Sequence, residues 1–205
     1  MSLLQTITEF RNSVQENNGN IISAHQVDPN GNYIINQKMR VLITEASFLR
    51  IFISWEKFLE QSFIKYVTGK KSINNNKVYT YLKRVDFDRA ADILKGTNKY
   101  LDWSNPDITL RLANLYFGIS NPYSDNLNSI KSDLYDLRTI RNAAAHFSTT
   151  TSNSLDGLAS RILGEEQSEV NVAEFILETI PGSSQIIVDY YINILDITAE
   201  NIANA

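Results

Sequence analysis

Residues 36–68 read NQKMRVLITEASFLRIFISWEKFLEQSFIKYVT, a run with neither glycine nor proline. Apolar residues recur along it at helical spacing, in a stripe of Met39, Leu42, Ile43, Ala46, Leu49, Phe52, Ile53, Leu59 and Phe63. Intervals of three and four positions are the signature of an α-helix. A second stripe of Phe48, Ile51, Trp55, Phe58 and Ser62 lies around the other side. A helix apolar on nearly two faces is either central in its domain or covered by a second chain, so this segment also gives a first indication of a homodimer. Gly69-Lys70-Lys71 closes the run.

Working outward, residues 2–17 form an amphipathic N-terminal helix with Leu3, Leu4, Ile7, Phe10 and Val14 on one face, ended by NNGN. Asp28-Pro29-Asn30-Gly31-Asn32 has the look of a calcium loop, but its glycine is misplaced and the closing glutamate is missing, so it reads as a turn. On the C-terminal side, short helices are predicted at 78–84, at 86–95 behind an Asp86 cap, and at 106–117 with Pro106 in the first turn after Asn105. A longer helix is predicted from Asn126 to His146, followed by FSTTTSNS as a β-branched, serine-rich loop. Helices at 155–164 and 169–180, a break at Pro181-Gly182, and a last helix at 183–202 complete the chain. No alternating strand series and no internal repeat competes. The expected class is all-α: one domain over 1–205, its core at 36–200, built as a bundle around two long central helices.

Composition narrows the chemistry. The chain has 205 residues, 43% apolar, enough for a proper core. The absence of cysteine excludes disulfides, a thiolate nucleophile and cysteine-ligated zinc. MSLLQTITEFRNSVQENN lacks the order of a signal peptide, and no apolar run approaches a bilayer span, so the expectation is a cytoplasmic protein. The formal charge of −4 is unevenly spread: residues 1–146 carry a net +4 and residues 147–205 a net −8. Residues 65–84 hold six lysines and arginines and no acid. Tyr66, Tyr79 and Tyr81 stand among Lys70, Lys71, Lys77, Lys83 and Arg84, a mixture able to stack on bases and neutralise phosphates. The same residues would equally serve a packed, solvated loop. Asp86, Asp88 and Asp92 read as caps and surface charges, and Trp55 and Phe58 as core or interface.

The segment RNAAAH at 141–146 concentrates the remaining chemistry. With about 100° per helical residue, Asn142 and His146 share a face, on which Arg138 precedes them, and Asn142 could orient the imidazole. Arg141 lies at the edge of the apolar stripe Leu134, Leu137 and Ala144, where a cation needs a partner or an anionic ligand. The alanines leave room for a neighbouring helix or a substrate. A plain reading also exists, since alanine is the best helix former and histidine suits a final helical turn. His25, in a turn-rich stretch with no useful neighbour, reads as structural.

Arg-Asn-x3-His at the end of a helix in an all-α chain resembles the signature of the HEPN superfamily, and the upstream SWEKFLEQSFIKY is similar to bacterial RiboL-PSP and MAE-type members. The resemblance implies a HEPN-like bundle with two long central antiparallel helices. It implies a metal-independent endoribonuclease, with no cofactor, that works as a homodimer sharing one cleft as a toxin or anti-phage defence effector under an antitoxin or regulatory protein. Arg141 and His146 would be catalytic and Asn142 supporting; beside the resemblance, the basic residues Arg138, Lys70, Lys71, Lys77, Lys83 and Arg84 are the expected RNA contacts. Histidine suits removal of the 2′-hydroxyl proton, and arginine suits the charge of a phosphorane. Some members carry a modified tyrosine two residues after the histidine; here Ser148 stands there, a departure from that mode of control. The alternative expectation is a non-catalytic helical module that binds RNA or a protein.

Overall fold

The run at 36–68 forms a single helix, α2 (Gln37–Val67), in the computed structural model, which describes residues 2–83, 85–118, 121–146 and 148–205. The other helices, in chain order, are α1 (Leu3–Ala24), α3 (Phe87–Lys95), α4 (Pro106–Phe117), α5 (Ser124–Ser129), α6 (Lys131–Ala145), α7 (Thr149–Leu163), α8 (Val172–Phe175) and α9 (Ile187–Asn204). Among the described residues, β pairing is limited to the isolated bridges Val27–Tyr33, Lys71–Lys77 and Thr179–Ile186. The protein is therefore all-α. Among the described residues no helix is long and apolar enough to cross a membrane.

The chain resolves into two compact units. The first comprises Met1–Arg11, Trp55–Tyr135 and Ile194–Ala205; the second comprises Asn12–Ser54 and Asp136–Asn193. In the first unit the later half of α2 is sequestered: Trp55, Phe58, Leu59, Phe63, Ile64, Tyr66 and Val67 are all buried. Phe10 of α1 packs on Trp55 and Phe58, and Phe63 is ringed by Trp103, Phe117 and Tyr123. The polar groups in this aromatic core are satisfied. Tyr66 donates its hydroxyl to the Ile202 carbonyl at 2.6 Å, and Tyr123 donates to Ser62 Oγ at 3.0 Å. Lys65, buried with them, donates to Thr6, and burial pushes its ammonium below the ordinary lysine range. Arg11 clasps Asp196 and Glu200 of α9 at 2.7 and 2.6 Å.

In the second unit the buried face of α2 supplies Thr44, Ser47, Phe48, Ile51 and Phe52, alongside Leu137 and Ile140 of α6, Leu155 and Leu158 of α7, and Phe175 and Ile176 at α8. Asp156 of α7 accepts the backbone N–H groups of Glu169 and Val170, holding the 165–171 segment to that helix. Asp136 accepts from Arg161 at 2.5 Å and from the Tyr191 hydroxyl at 3.3 Å.

Several predicted elements take a different form. α1 continues through NNGN to Ala24, because Ile21 and Ala24 are buried and that burial outweighs the weak propensity of asparagine and glycine. The predicted helix at 78–84 is absent over the described residues 78–83, where the Tyr81 N–H instead donates to the Tyr116 carbonyl at 2.9 Å. Its β-branched and aromatic residues favour that extended form. The helix predicted from Asn126 to His146 is interrupted at Ile130, giving α5 and α6. The TTTSNS run is helical, not loop: Ser148 caps α7 and forms a reciprocal capping box with Thr151. Phe147 lies outside the described residues. The helix predicted at 169–180 contracts to the one turn of α8 behind an Asn171 cap. α2, the Asp86-capped α3 and the Asn105-Pro106 start of α4 match the expected bounds.

Replacing Trp55 by alanine should lower unfolding free energy by ~3–5 kcal/mol in urea titrations, because the ring leaves a cavity in an aromatic core. Leu4→Ala, at a side chain 59% exposed, should change it by less than ~0.5 kcal/mol.

Candidate functional site

Arg141 and Asn142 lie in the last turn of α6, half-buried, and His146 is the first residue beyond its end. The His146 N–H still donates to the Asn142 carbonyl at 3.0 Å, so the helical path holds through the histidine. Its own carbonyl accepts from Thr151 Oγ1 at 2.7 Å. The same threonine donates its backbone N–H to Ser148 Oγ at 3.2 Å. The histidine backbone is thus fixed between the end of one helix and the capping box of the next, while the residue itself stays exposed. Among the described residues neither imidazole nitrogen has a hydrogen-bond partner.

A cavity of about 510 Å³ opens at this junction, walled by Glu45, Ala143, His146, Thr151, Asn153 and Asn171. Ala143 is one of the three alanines of RNAAAH, and its small side chain leaves that space open. Glu45 comes from α2 and was not singled out by the sequence reading. Its burial holds the carboxyl above the usual carboxylate range. The signal that could have found it is simple: between Gln37 and Ser54 it is the one acidic residue, set between Leu42 and Leu49 on a largely apolar helix. A carboxylate placed there loses hydration for no packing gain, which marks it as a candidate functional group.

Arg141 does not line this cavity. It donates from Nη1 to Asn142 Oδ1 at 3.1 Å, so the amide expected to orient His146 is engaged by the arginine instead. Arg138, one turn earlier, is half-buried and also interacts within the fold. Arg138, Arg141, Asn142 and His146 all belong to the second unit, whereas Lys70, Lys71, Lys77 and Lys83 belong to the first. Arg84 lies outside the described residues. His25 is not part of the cavity. It bonds Thr44 Oγ1 at 2.9 Å and meets Tyr33 edge-on; burial, aided by the charge of Arg40, pushes its pKa below the ordinary histidine range. Arg40 in turn lies 3.6 Å over the Tyr33 ring, so this histidine serves packing. Asp28 accepts the N–H groups of Asn30 and Asn32, both at 2.9 Å, which makes the calcium-like sequence a self-closed turn. Among the described residues no group of three or more histidines and carboxylates is arranged to hold a metal ion.

The fold and site define an all-α protein with a histidine and a desolvated glutamate on one polar-rimmed cavity. No family model matches the chain, and no curated protein or solved structure matches it.

The raised Glu45 carboxyl makes a stability prediction. The folded state holds this proton more tightly than the unfolded state, so stability falls as pH climbs from the ordinary glutamate pKa of about 4.3 through the raised folded value. Glu45→Gln removes that loss. Its thermal midpoint should exceed that of the parent at pH 7 by more than at pH 4, as read by circular dichroism; an equal difference at both pH values would contradict the burial of this group.

Proposed function

We propose that the protein is an endoribonuclease that cleaves RNA by attack of its own 2′-hydroxyl, with His146 as the central group of the site. The observation that carries this reading is the sharing of one cavity by His146 and Glu45. A neutral imidazole takes the 2′-hydroxyl proton as O2′ bonds to phosphorus. The P–O5′ bond breaks, and the departing oxygen takes a proton from the Glu45 carboxyl, whose burial favours its protonated form. The products are a 2′,3′-cyclic phosphate and a 5′-hydroxyl. Hydroxyls and amides of Thr151, Asn153 and Asn171 on the wall suit the sugar and phosphate oxygens. No step in this scheme needs a metal ion.

Arginine enters through a second copy of the chain. α2 leaves Met39, Leu42, Ala46 and Ile53 exposed, spaced by three, four and seven residues, the interval of a helix-pairing seam. By helical geometry Glu45 lies between this seam and the buried face, so a partner seated on the seam borders the cavity. A homodimer built there would bring a second Arg141 toward the phosphate and stabilise the phosphorane through its fork. The role as a toxin or defence effector belongs to the same reading. One observation favours the rival of a non-catalytic module that binds RNA or protein: within one chain Arg141 donates to Asn142 and stands outside the cavity.

Purified protein should cleave single-stranded RNA in EDTA, leaving cyclic phosphate ends. His146→Ala should lower the rate by about 100-fold or more with an unchanged circular dichroism spectrum, the scale of a lost general base. Undiminished cleavage by that variant would overturn the assignment, and binding without cleavage would select the rival. Leu42→Asp should convert a dimer to a monomer in light scattering and reduce cleavage with it.

A further inference from the structure

A second cavity lies in the first unit, remote in sequence from His146. It measures about 560 Å³, and its wall includes Gly69, Lys77, Tyr79, Thr80 and Lys83. The segments that form it are held in place by named bonds. At its start, the Ser72 N–H donates to the Asn76 carbonyl, and the Ile73 N–H donates to the Ala203 carbonyl, both at 2.9 Å. Asn74 Nδ2 adds a bond to the Asn204 carbonyl at 2.9 Å, so the 71–77 turn is pinned to the end of α9. On the far side the Tyr81 N–H is bonded to Tyr116, and the Tyr81 hydroxyl lies over Gly118, where a Cβ would come within 3.0 Å of it. The cavity is preformed.

Its charge is unbalanced. Lys71 and Lys77 face one another across an antiparallel bridge, a placement that is unfavourable for like charges unless an anion lies near. Lys71 finds the Asn75 side chain, but among the described residues Lys70, Lys77 and Lys83 have no hydrogen-bond or ion-pair partner from their ammonium groups. Next to these cations stand two exposed aromatic rings, Tyr79 at 64% and Tyr81 at 58% exposure, edge to face with centroids 5.3 Å apart. Rigid aromatic faces beside unpaired lysines, around a space of nucleotide size, match the elements by which proteins hold single strands. An acidic peptide would use the lysines but leave the rings without a role.

We propose that this cavity seats one nucleotide unit of single-stranded RNA, the base against Tyr79 and the adjoining phosphates at Lys77 and Lys83. The choice of RNA over other base-bearing polyanions rests on the ribonuclease reading; the cavity, its cations and its rings do not. The site serves to anchor the chain while cleavage takes place elsewhere.

The test uses full-length protein carrying His146→Ala, so that bound RNA stays intact, and three probes: an eight-nucleotide uridine RNA, free UMP, and dextran sulfate. Fluorescence anisotropy should show the oligomer bound. Lys77→Ala with Lys83→Ala should weaken it about tenfold or more and flatten the logarithmic salt dependence by about 1.4, two phosphate contacts' worth for a single strand. Tyr79→Ala should weaken the oligomer about tenfold while leaving dextran sulfate unchanged. All three side chains are exposed, so an unchanged thermal midpoint should accompany these losses. Oligomer affinity unaltered in either variant overturns the site, and so does UMP binding as tight as the oligomer, which would assign the cavity to free nucleotides. If the oligomer binds as described but wild-type protein never cuts RNA, the ribonuclease reading fails and the anchoring site stands.

Discussion

The aromatic face of α2 is the constraint on which the other features depend. Phe48 and Phe52 anchor the second unit, and Trp55, Phe58 and Phe63 anchor the first, each nearly inaccessible to solvent. At about 150–250 Å² of buried surface per ring and ~25 cal/mol per Å², these side chains fix the rotation of the helix about its own axis. Once that rotation is set, everything else α2 carries is set with it. Glu45 is left at the margin of the buried face, half-desolvated, and Met39, Leu42, Ala46 and Ile53 are left in solvent. A rotation by one residue would submerge the carboxylate or release it, and the hydrophobic cost of either is many times larger than any gain at the site.

The candidate site follows from this rigidity and from a local one. His146 is presented by backbone bonds rather than by packing of its ring: a helix end on one side and a capping threonine on the other. Such a mount leaves the imidazole free to meet a ligand from several directions. Arg141 is mounted oppositely, with its guanidinium held by the neighbouring asparagine. The two ends of RNAAAH therefore differ in readiness, one open and one occupied.

The parts of this arrangement that sequence made legible were those governed by periodicity and capping. The glycine-free run at 36–68, the Asp86 cap and the Asn105-Pro106 start announce their helices because each rests on local chemistry. What escaped was governed by tertiary contact. NNGN stays helical because Ile21 and Ala24 are buried, and TTTSNS is helical because Ser148 and Thr151 cap each other. At the site, His146 was visible because histidine is scarce, and the alanines because they are small. Glu45 was legible as a lone acid on an apolar helix, but its sharing of a cavity with His146 was hidden because the two stand about a hundred residues apart in the chain. The Arg141–Asn142 bond was hidden as well, since adjacent helical residues are not expected to face one another.

The first unit is assembled from segments that stand far apart in the sequence. Tyr66 finds the acceptor for its hydroxyl only at Ile202, and Arg11 finds its carboxylates only at Asp196 and Glu200. During synthesis at roughly 5–20 residues per second, the α1 and α2 segments would wait many seconds for α9 to leave the ribosome. Until then the Tyr66 hydroxyl and the Arg11 guanidinium lack their partners. The nascent chain thus carries a core tyrosine whose hydroxyl stays unpaired within the fold until α9 is made, and the first unit cannot close before that helix emerges.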